Sequence, residues 1–272
     1  MPILGLITIG QSPRVDLTPE LKSWIPGVEI VERGALDGLE KTEIEEKFSP
    51  REGEIVLTSR LRDGSSVVMG HDHILPILQE AITSLEIGGS SREDPNVIHP
   101  PCDVILMACT GSFPKFSHRK PLLIPEDMMT LGLAALANTV ALSTDSEDGT
   151  HQGVVGVLVP LPEQRNFADP NGKFKILTSM GKRLVVGDAS PYPMGDPSRE
   201  AFDQVEAGLV KAGRDLRTQG AQLIFADCMG YSSWMRRVLE SASGVPVVLG
   251  RSIVARLTAE LMDDGGNWTR PA

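Results

Sequence analysis

Six short runs of mostly branched aliphatic residues punctuate this chain: Ile3 to Ile9, Val104 to Ala108, Val154 to Val159, Arg183 to Val186, Leu223 to Ala226 and Val245 to Leu249. Each is about 4 to 7 residues long, the length of a buried strand and too short for an ordinary helix. Segments with helical periodicity lie between them. Ile74, Ile77, Leu78, Ala81, Ile82 and Leu85 recur on one helix face, with Asp72 as the expected N-cap and Pro76 in the first turn. Farther on, Asp196 is the expected N-cap and Pro197 the first position of a helix whose stripe is Phe202, Val205, Leu209, Ala212 and Leu216, closed by Gly220. Alternating strands and helices with short connections predict mostly parallel sheets with right-handed crossovers, an α/β chain. Only 4% of residues are aromatic, so the core must come from Val, Ile, Leu and Ala, which suits strands covered on both faces.

Composition removes several function classes. Lys+Arg number 26 against Asp+Glu 36, a formal charge of −10, and no basic patch is visible, which excludes a nucleic-acid binder. The most apolar window, Leu131 to Leu142, is interrupted by Asn138 and Thr139 and falls short of the roughly 20 residues of a spanning helix, so no membrane partner is expected. The opening Met1-Pro2-Ile3-Leu4 has no basic region or cleavage site and reads as a first strand rather than a signal peptide. Three cysteines do not make a disulfide framework, so reduced thiols and a cytoplasmic location are expected.

The most informative feature is an internal echo. Cys102-Asp103-Val104-Ile105-Leu106-Met107-Ala108-Cys109-Thr110-Gly111 can be laid over Ala221-Gln222-Leu223-Ile224-Phe225-Ala226-Asp227-Cys228-Met229-Gly230. Each has a polar residue, an apolar strand, a cysteine, one further residue and a glycine. A cysteine would then stand at the carboxyl end of a buried strand in each half, where open α/β sheets bind small molecules. A lone cysteine there is ordinarily a packing residue; the pairing argues for chemistry. Facing each other across a cleft, Cys109 and Cys228 suit proton transfer at carbon. Turn N–H groups are expected to lower the thiol pKa toward neutral, leaving one thiolate as base and one thiol as acid. Thr110, Gly111, Met229 and Gly230 are candidate backbone donors for the developing negative charge. Cys102 is given no role.

After the first strand, Gln11, Ser12 and Arg14 in Gly10-Gln11-Ser12-Pro13-Arg14 offer an amide, a hydroxyl and a cation for a carboxylate. The simpler reading makes Ser12 and Pro13 the N-cap and first position of a helix, with Arg14 solvated.

The opening Thr8-Ile9-Gly10-Gln11-Ser12-Pro13-Arg14, the run Asp227-Cys228-Met229-Gly230-Tyr231 and the ending Ser252 to Leu261 resemble the AroM family, which is similar to the wider aspartate/glutamate/hydantoin racemase group. That resemblance implies two similar flavodoxin-like α/β domains with mostly parallel sheets and an interdomain cleft. It also implies Cys109 and Cys228 as the acid–base pair, Ser12 in a carboxylate-binding loop, and no cofactor or metal. The chain departs from the amino-acid racemases of that group, which have Asp-Ser, Asn-Thr and Thr-His where Gln11-Ser12, Thr110-Gly111 and Met229-Gly230 stand here. The departure disfavours aspartate and glutamate and leaves a different carboxylate, a hydantoin-like compound or an unsaturated acid as an equally good expectation.

His71-Asp72-His73 lacks a third nearby ligand for zinc, and His118 in a basic loop is a weak candidate for the cleft. No Gly-x-Gly-x-x-Gly follows a predicted strand, and neither a phosphate-binding Gly-x-x-x-x-Gly-Lys-Ser/Thr nor a Gly-x-Ser-x-Gly elbow occurs. The expected domains are residues 1–140 plus 250–272, and 141–249. The expected activity is that of a cofactor-independent, racemase- or isomerase-like enzyme acting on a small carboxylate by two-cysteine proton transfer. The alternatives are a decarboxylase, lyase or hydrolase using Cys228 alone, and a non-catalytic ligand-binding regulatory protein. A homo-oligomer is compatible with the chain.

Overall fold

Two four-stranded parallel sheets, one in each half of the chain, carry the structure. It is a computed structural model, and the residues described are 1–90, 98–139, 153–168, 172–193 and 198–262. The first half runs β1 (Ile3–Thr8), α1 (Thr18–Trp24), β2 (Glu29–Gly34), α2 (Lys41–Phe48), the antiparallel hairpin β3 (Val56–Arg60) and β4 (Ser66–Gly70), and α3 (His71–Ile87). A two-residue antiparallel pair follows, β5 (Gly89–Ser90) with β6 (Ile98–His99), then β7 (Val104–Met107), β8 (Leu122–Leu123) and α4 (Pro125–Ala137). The second half runs β9 (Val154–Val159), a 3-10 turn at Pro162–Ala168, α5 (Lys175–Ser179), β10 (Arg183–Asp188), α6 (Arg199–Thr218), β11 (Leu223–Ala226), α7 (Ser233–Ser243), β12 (Val247–Leu249) and α8 (Gly250–Met262).

The sheet orders are β2-β1-β7-β8 and β10-β9-β11-β12, the same arrangement twice. The protein is thus α/β, with two similar flavodoxin-like domains. The two echoing segments form the third strand of each order, and the match reaches individual hydrogen bonds. Asp103 Oδ2 accepts the N–H of Ile3 at the start of β1, and Gln222 Oε1 accepts that of Val154 at the start of β9, both at 2.9 Å.

Strand alternation distributes the core. Leu4 and Leu6 of β1, Leu106 of β7, Val155 and Val157 of β9, and Leu223 and Phe225 of β11 share one apolar core with residues of α1, α4, α5 and α8. Alternate residues face outward into separate cores, Ile7, Ile105 and Met107 in the first half and Leu158, Ile224 and Ala226 in the second. Within the shared layer α4 packs on α8, α1 on α8 and α5 on α4.

Several boundaries differ from the sequence reading. The third helix begins at His71 after Gly70, so Asp72 is a first-turn residue rather than the N-cap and Pro76 lies inside the helix. The cap of α6 is Ser198, whose hydroxyl accepts the Ala201 N–H; Asp196 and Pro197 lie outside the described residues. Phe202 is exposed, and Ala201 takes its place in the buried stripe with Val205, Leu209, Ala212 and Leu216. The last strand starts at Val247, two residues later than expected. Ser12 and Pro13 do not start a helix; α1 begins at Thr18, with Pro19 in its first turn. No helix among the described residues is long and apolar enough to cross a membrane.

The α4–α8 contact is close enough to make a glycine necessary. A Cβ on Gly132 would stand 2.7 Å from Ile253 Cγ2, and a β-branched residue in a helix has little rotameric freedom to yield. Gly132→Ala is expected to lower unfolding free energy by about 1–3 kcal/mol in urea denaturation. In an Ile253→Ala background the same change is expected to reverse sign and stabilise by up to about 1 kcal/mol, the intrinsic helix preference of Ala over Gly.

Candidate active site

A cavity of ≈ 300 Å³ lies where the strand ends of the two halves meet. Cys109 to Ser112 enter it from the turn after β7, Val159 and Pro160 from the end of β9, and Asp227 and Cys228 from the turn after β11. Ile55 just before the first hairpin, Leu57 and Thr58 within it, Gln164 and Asn166 of the 3-10 turn, and Gly172 and Lys173 complete the wall. The hairpin is fastened across the halves by Gln164, whose Nε2 donates to the Val56 carbonyl at 3.0 Å.

The two cysteine turns have the same local geometry. Gly111 N–H points at Cys109 Sγ (3.5 Å) and Gly230 N–H at Cys228 Sγ (3.3 Å). Lys173, almost fully buried, donates to the Thr110 carbonyl at 2.6 Å and to both oxygens of Asp227 at 2.7 and 2.8 Å, joining the residue after the first cysteine to the residue before the second. Thr110 Oγ1 adds a hydrogen bond to the Asp227 carbonyl at 3.3 Å. Behind Cys228, the Arg251 guanidinium donates from Nε and Nη2 to the Met229 carbonyl at 2.8 and 2.5 Å and pairs with Glu20. Gly230 is required there, because a Cβ would stand 2.5 Å from the Tyr192 hydroxyl.

Of the residues singled out in the sequence, Cys109, Cys228, Thr110 and Gly111 line the cavity, whereas Gln11, Ser12, Arg14, Met229 and Gly230 do not. Gln11 Nε2 donates to the Leu36 and Leu39 carbonyls, and Ser12 donates both its N–H and its hydroxyl to Asp37. Arg14 is buried rather than solvated; it pairs with Asp16 and donates to Thr8 Oγ1 and the Tyr192 hydroxyl. This loop uses its polar groups to hold its own shape. His118 is exposed and bonded to the Lys120 carbonyl, outside the cavity wall. His71 is buried, stacked on Phe113 and bonded to the Ser112 carbonyl, so it braces the loop that follows Cys109. Among the described residues no group of three His, Cys, Asp or Glu side chains is placed to hold a metal. Cys102 is fully buried beside β1.

Lys173, Gln164, Arg251 and the hairpin residues were not singled out in the sequence. Nothing local marks Lys173, which follows Gly172 in a polar connection. Arg251 directly follows Leu249-Gly250 at the carboxyl end of a predicted strand, the same kind of position that drew attention to the cysteines.

A family model described as AroM protein matches residues 4–262. The chain belongs to the AroM family. No curated protein matches this AroM chain. Among solved structures, the fold is similar to that of Picrophilus torridus aspartate racemase, with a TM-score of 0.54 at 15% identity over 96% of this chain and 94% of that one. Allantoin racemase from Pseudomonas fluorescens gives 0.55 at 15% identity over 99% and 98%. Unliganded arylmalonate decarboxylase gives 0.51 at 15% identity over 100% and 96%. At these identities the likeness concerns the fold.

The thiols are not lowered toward neutral as expected. Burial pushes Cys109 up to about 12, and the Gly111 N–H opposes it only in part. Burial raises Cys228 as well, against the Gly230 N–H, Arg14 and Arg251, with Asp227 adding to the rise. Desolvation of a thiolate outweighs a single sulfur-facing N–H, so both thiols are held above their ordinary value. Since only thiolate reacts with iodoacetamide, a raised pKa means slow reaction at neutral pH. Alkylation of Cys109 in the folded protein is expected to be far slower at pH 7.5 than that of a free cysteine. It should rise about tenfold per pH unit without a plateau below pH 10. Mass spectrometry of the labelled peptide checks this.

Proposed function

We propose that this AroM protein is a cytoplasmic, cofactor-independent enzyme of the racemase or isomerase type, acting on a small carboxylate through Cys109 and Cys228. One observation carries the reading: two cysteines from equivalent turns of two similar sheets open into the same cavity. On this reading one sulfur removes a proton from the carbon next to the substrate's carboxylate, and the other delivers a proton from the far side. The enolate formed in between needs donors that do not reorganise, and the Thr110 and Gly111 backbone N–H groups on the cavity wall are the candidates. The racemases and the decarboxylase that share the fold support this class of carbon-acid chemistry. The substrate is not expected to be aspartate or glutamate, because the charged and hydroxyl pairs of those racemases are replaced here by Gln11-Ser12, Thr110-Gly111 and Met229-Gly230.

The division into residues 1–140 with 250–272, and 141–249, belongs to the same proposal. It is supported by the packing of α8 on α1 and α4, which places that helix against the first half.

A second reading is favoured by a difference between the thiols. Cys228 is partly exposed and follows Asp227, whereas Cys109 is buried, which suits a decarboxylase, lyase or hydrolase using Cys228 alone. Solvent deuterium wash-in across chiral and unsaturated monocarboxylic acids, read by mass spectrometry, separates the readings. The two-thiol enzyme is expected to exchange the α-hydrogen of at least one acid, with a rate that climbs with pH and shows no plateau below pH 9, because the thiols must ionise. Cys109→Ala and Cys228→Ala are each expected to reduce exchange by at least about 10²-fold, the lower range of positioned acid–base catalysis. Turnover that survives Cys109→Ala selects the single-cysteine enzyme. Binding without exchange selects a regulatory ligand-binding protein.

A further inference from the structure

Each thiol hydrogen bond is one end of a peptide group, and the other end of that group is held by a buried cation. Gly111 N–H faces Cys109 Sγ, and the carbonyl of the same peptide, that of Thr110, accepts from the Lys173 ammonium at 2.6 Å. Gly230 N–H faces Cys228 Sγ, and the carbonyl of that peptide, Met229, accepts twice from the Arg251 guanidinium at 2.8 and 2.5 Å. In a trans peptide the C=O and N–H point in opposite directions, so cation, peptide and sulfur follow one another in line in both halves. We propose that Lys173 and Arg251 are positioning residues that act through these two peptides to fix the N–H on each sulfur and to favour its thiolate form.

The physics has two parts. A cation on the carbonyl fixes the rotation of the peptide, which in a glycine-containing turn is otherwise weakly determined. It also polarises the amide, and linked hydrogen bonds strengthen one another where the local dielectric is low. Once the sulfur is ionised, its contact with the N–H becomes a charge-assisted hydrogen bond. Arg251 and Lys173 are 3% and 7% exposed at the side chain, so water screens neither charge effectively. One of the two relays crosses between halves. Lys173, which follows β9, serves the turn after β7, whereas Arg251, directly after β12, serves the turn after the neighbouring β11 and reaches the first half through Glu20 and the Asp16 carbonyl. Cys109 therefore takes its positive partner from across the cleft, and its environment depends on the two halves being seated together.

Other charges act on the same sulfurs. Cys109 faces Lys173, Asp227 and Cys228. Cys228 faces Asp227, Arg14 and Arg251, with the Tyr192 and Tyr231 hydroxyls nearby. Arg14 makes no contact with the Met229 carbonyl, which Arg251 alone holds among the described residues.

The catalytic meaning of these relays rests on the two-thiol reading, but their test does not need turnover. Peptide-resolved iodoacetamide labelling from pH 7 to 10 reads each thiol separately. Arg251→Met is expected to slow Cys228 labelling at least about tenfold at any one pH, one pKa unit, while leaving Cys109 within about twofold. Lys173→Met is expected to slow Cys109 to a similar extent. Arg251→Lys and Lys173→Arg should recover most of each rate, which a loss of packing alone would not predict. If Arg251→Met fails to fold, Arg251→Met with Glu20→Gln removes the ion pair as a unit and carries the same expectation. A folded Arg251 variant with an unchanged Cys228 profile overturns the proposal, as does equal slowing of both thiols by either cation. Shifted profiles in a protein that exchanges no acid would leave the relays standing and overturn the acid–base reading instead.

Discussion

The apolar layer shared by the two sheets fixes everything that follows it. Leu4, Leu6 and Leu106 on one side and Val155, Val157, Leu223 and Phe225 on the other close over α4 and α8 in one continuous core. Each such side chain contributes roughly 1.5–3 kcal/mol when fully buried, and a core at crystal-like density does not deform continuously. The angle between the sheets is therefore set by packing, and the turns at their ends inherit it. Register does the rest. Met107 is paired with Ile7 and Ala226 with Leu158; one further residue bonds back to the neighbouring strand, and the next is the cysteine in both halves.

On this rigid base the charges are arranged economically. The Lys173–Asp227 pair is buried in the cavity wall and uses the Thr110 carbonyl as well. Removing one member of such a pair typically costs about 3–5 kcal/mol, although the intact pair adds little net stability because both ions lose water. Its value lies in geometry. The buried Arg14 and Arg251 and the partly exposed Asp16 and Glu20 form a second set that fastens the loop after β1 and α1 to the turn after β11 and to the start of α7.

The architecture was legible because its signals are local. Apolar runs of strand length, a recurring strand–Cys–x–Gly pattern and the stripe of α6 can all be read within windows of about 10 to 20 residues. The cysteines were found for the same reason. Lys173 was not, since its importance comes from reaching a carbonyl 63 residues away and a carboxylate 54 away, and no spacing rule encodes that. The loop of Gln11, Ser12 and Arg14 shows the opposite case. Its residue types suit a carboxylate, but Asp37, Asp16 and two backbone carbonyls already occupy them. The thiol ionisation was misjudged because a sequence shows that a glycine N–H is near a sulfur and does not show how dry the sulfur is.

The hairpin of β3 and β4 adds a separate consequence. It supplies Leu57 and Thr58 to the wall of the cavity that the cysteines line, yet neither of its strands belongs to a main sheet. The two thiols thus sit at the ends of main-sheet strands, while part of the cavity wall hangs from an appendage tethered through Gln164. Such a partition lets the lining of the cavity be altered by rewriting a short ribbon, with no penalty to the sheets that hold the two cysteines.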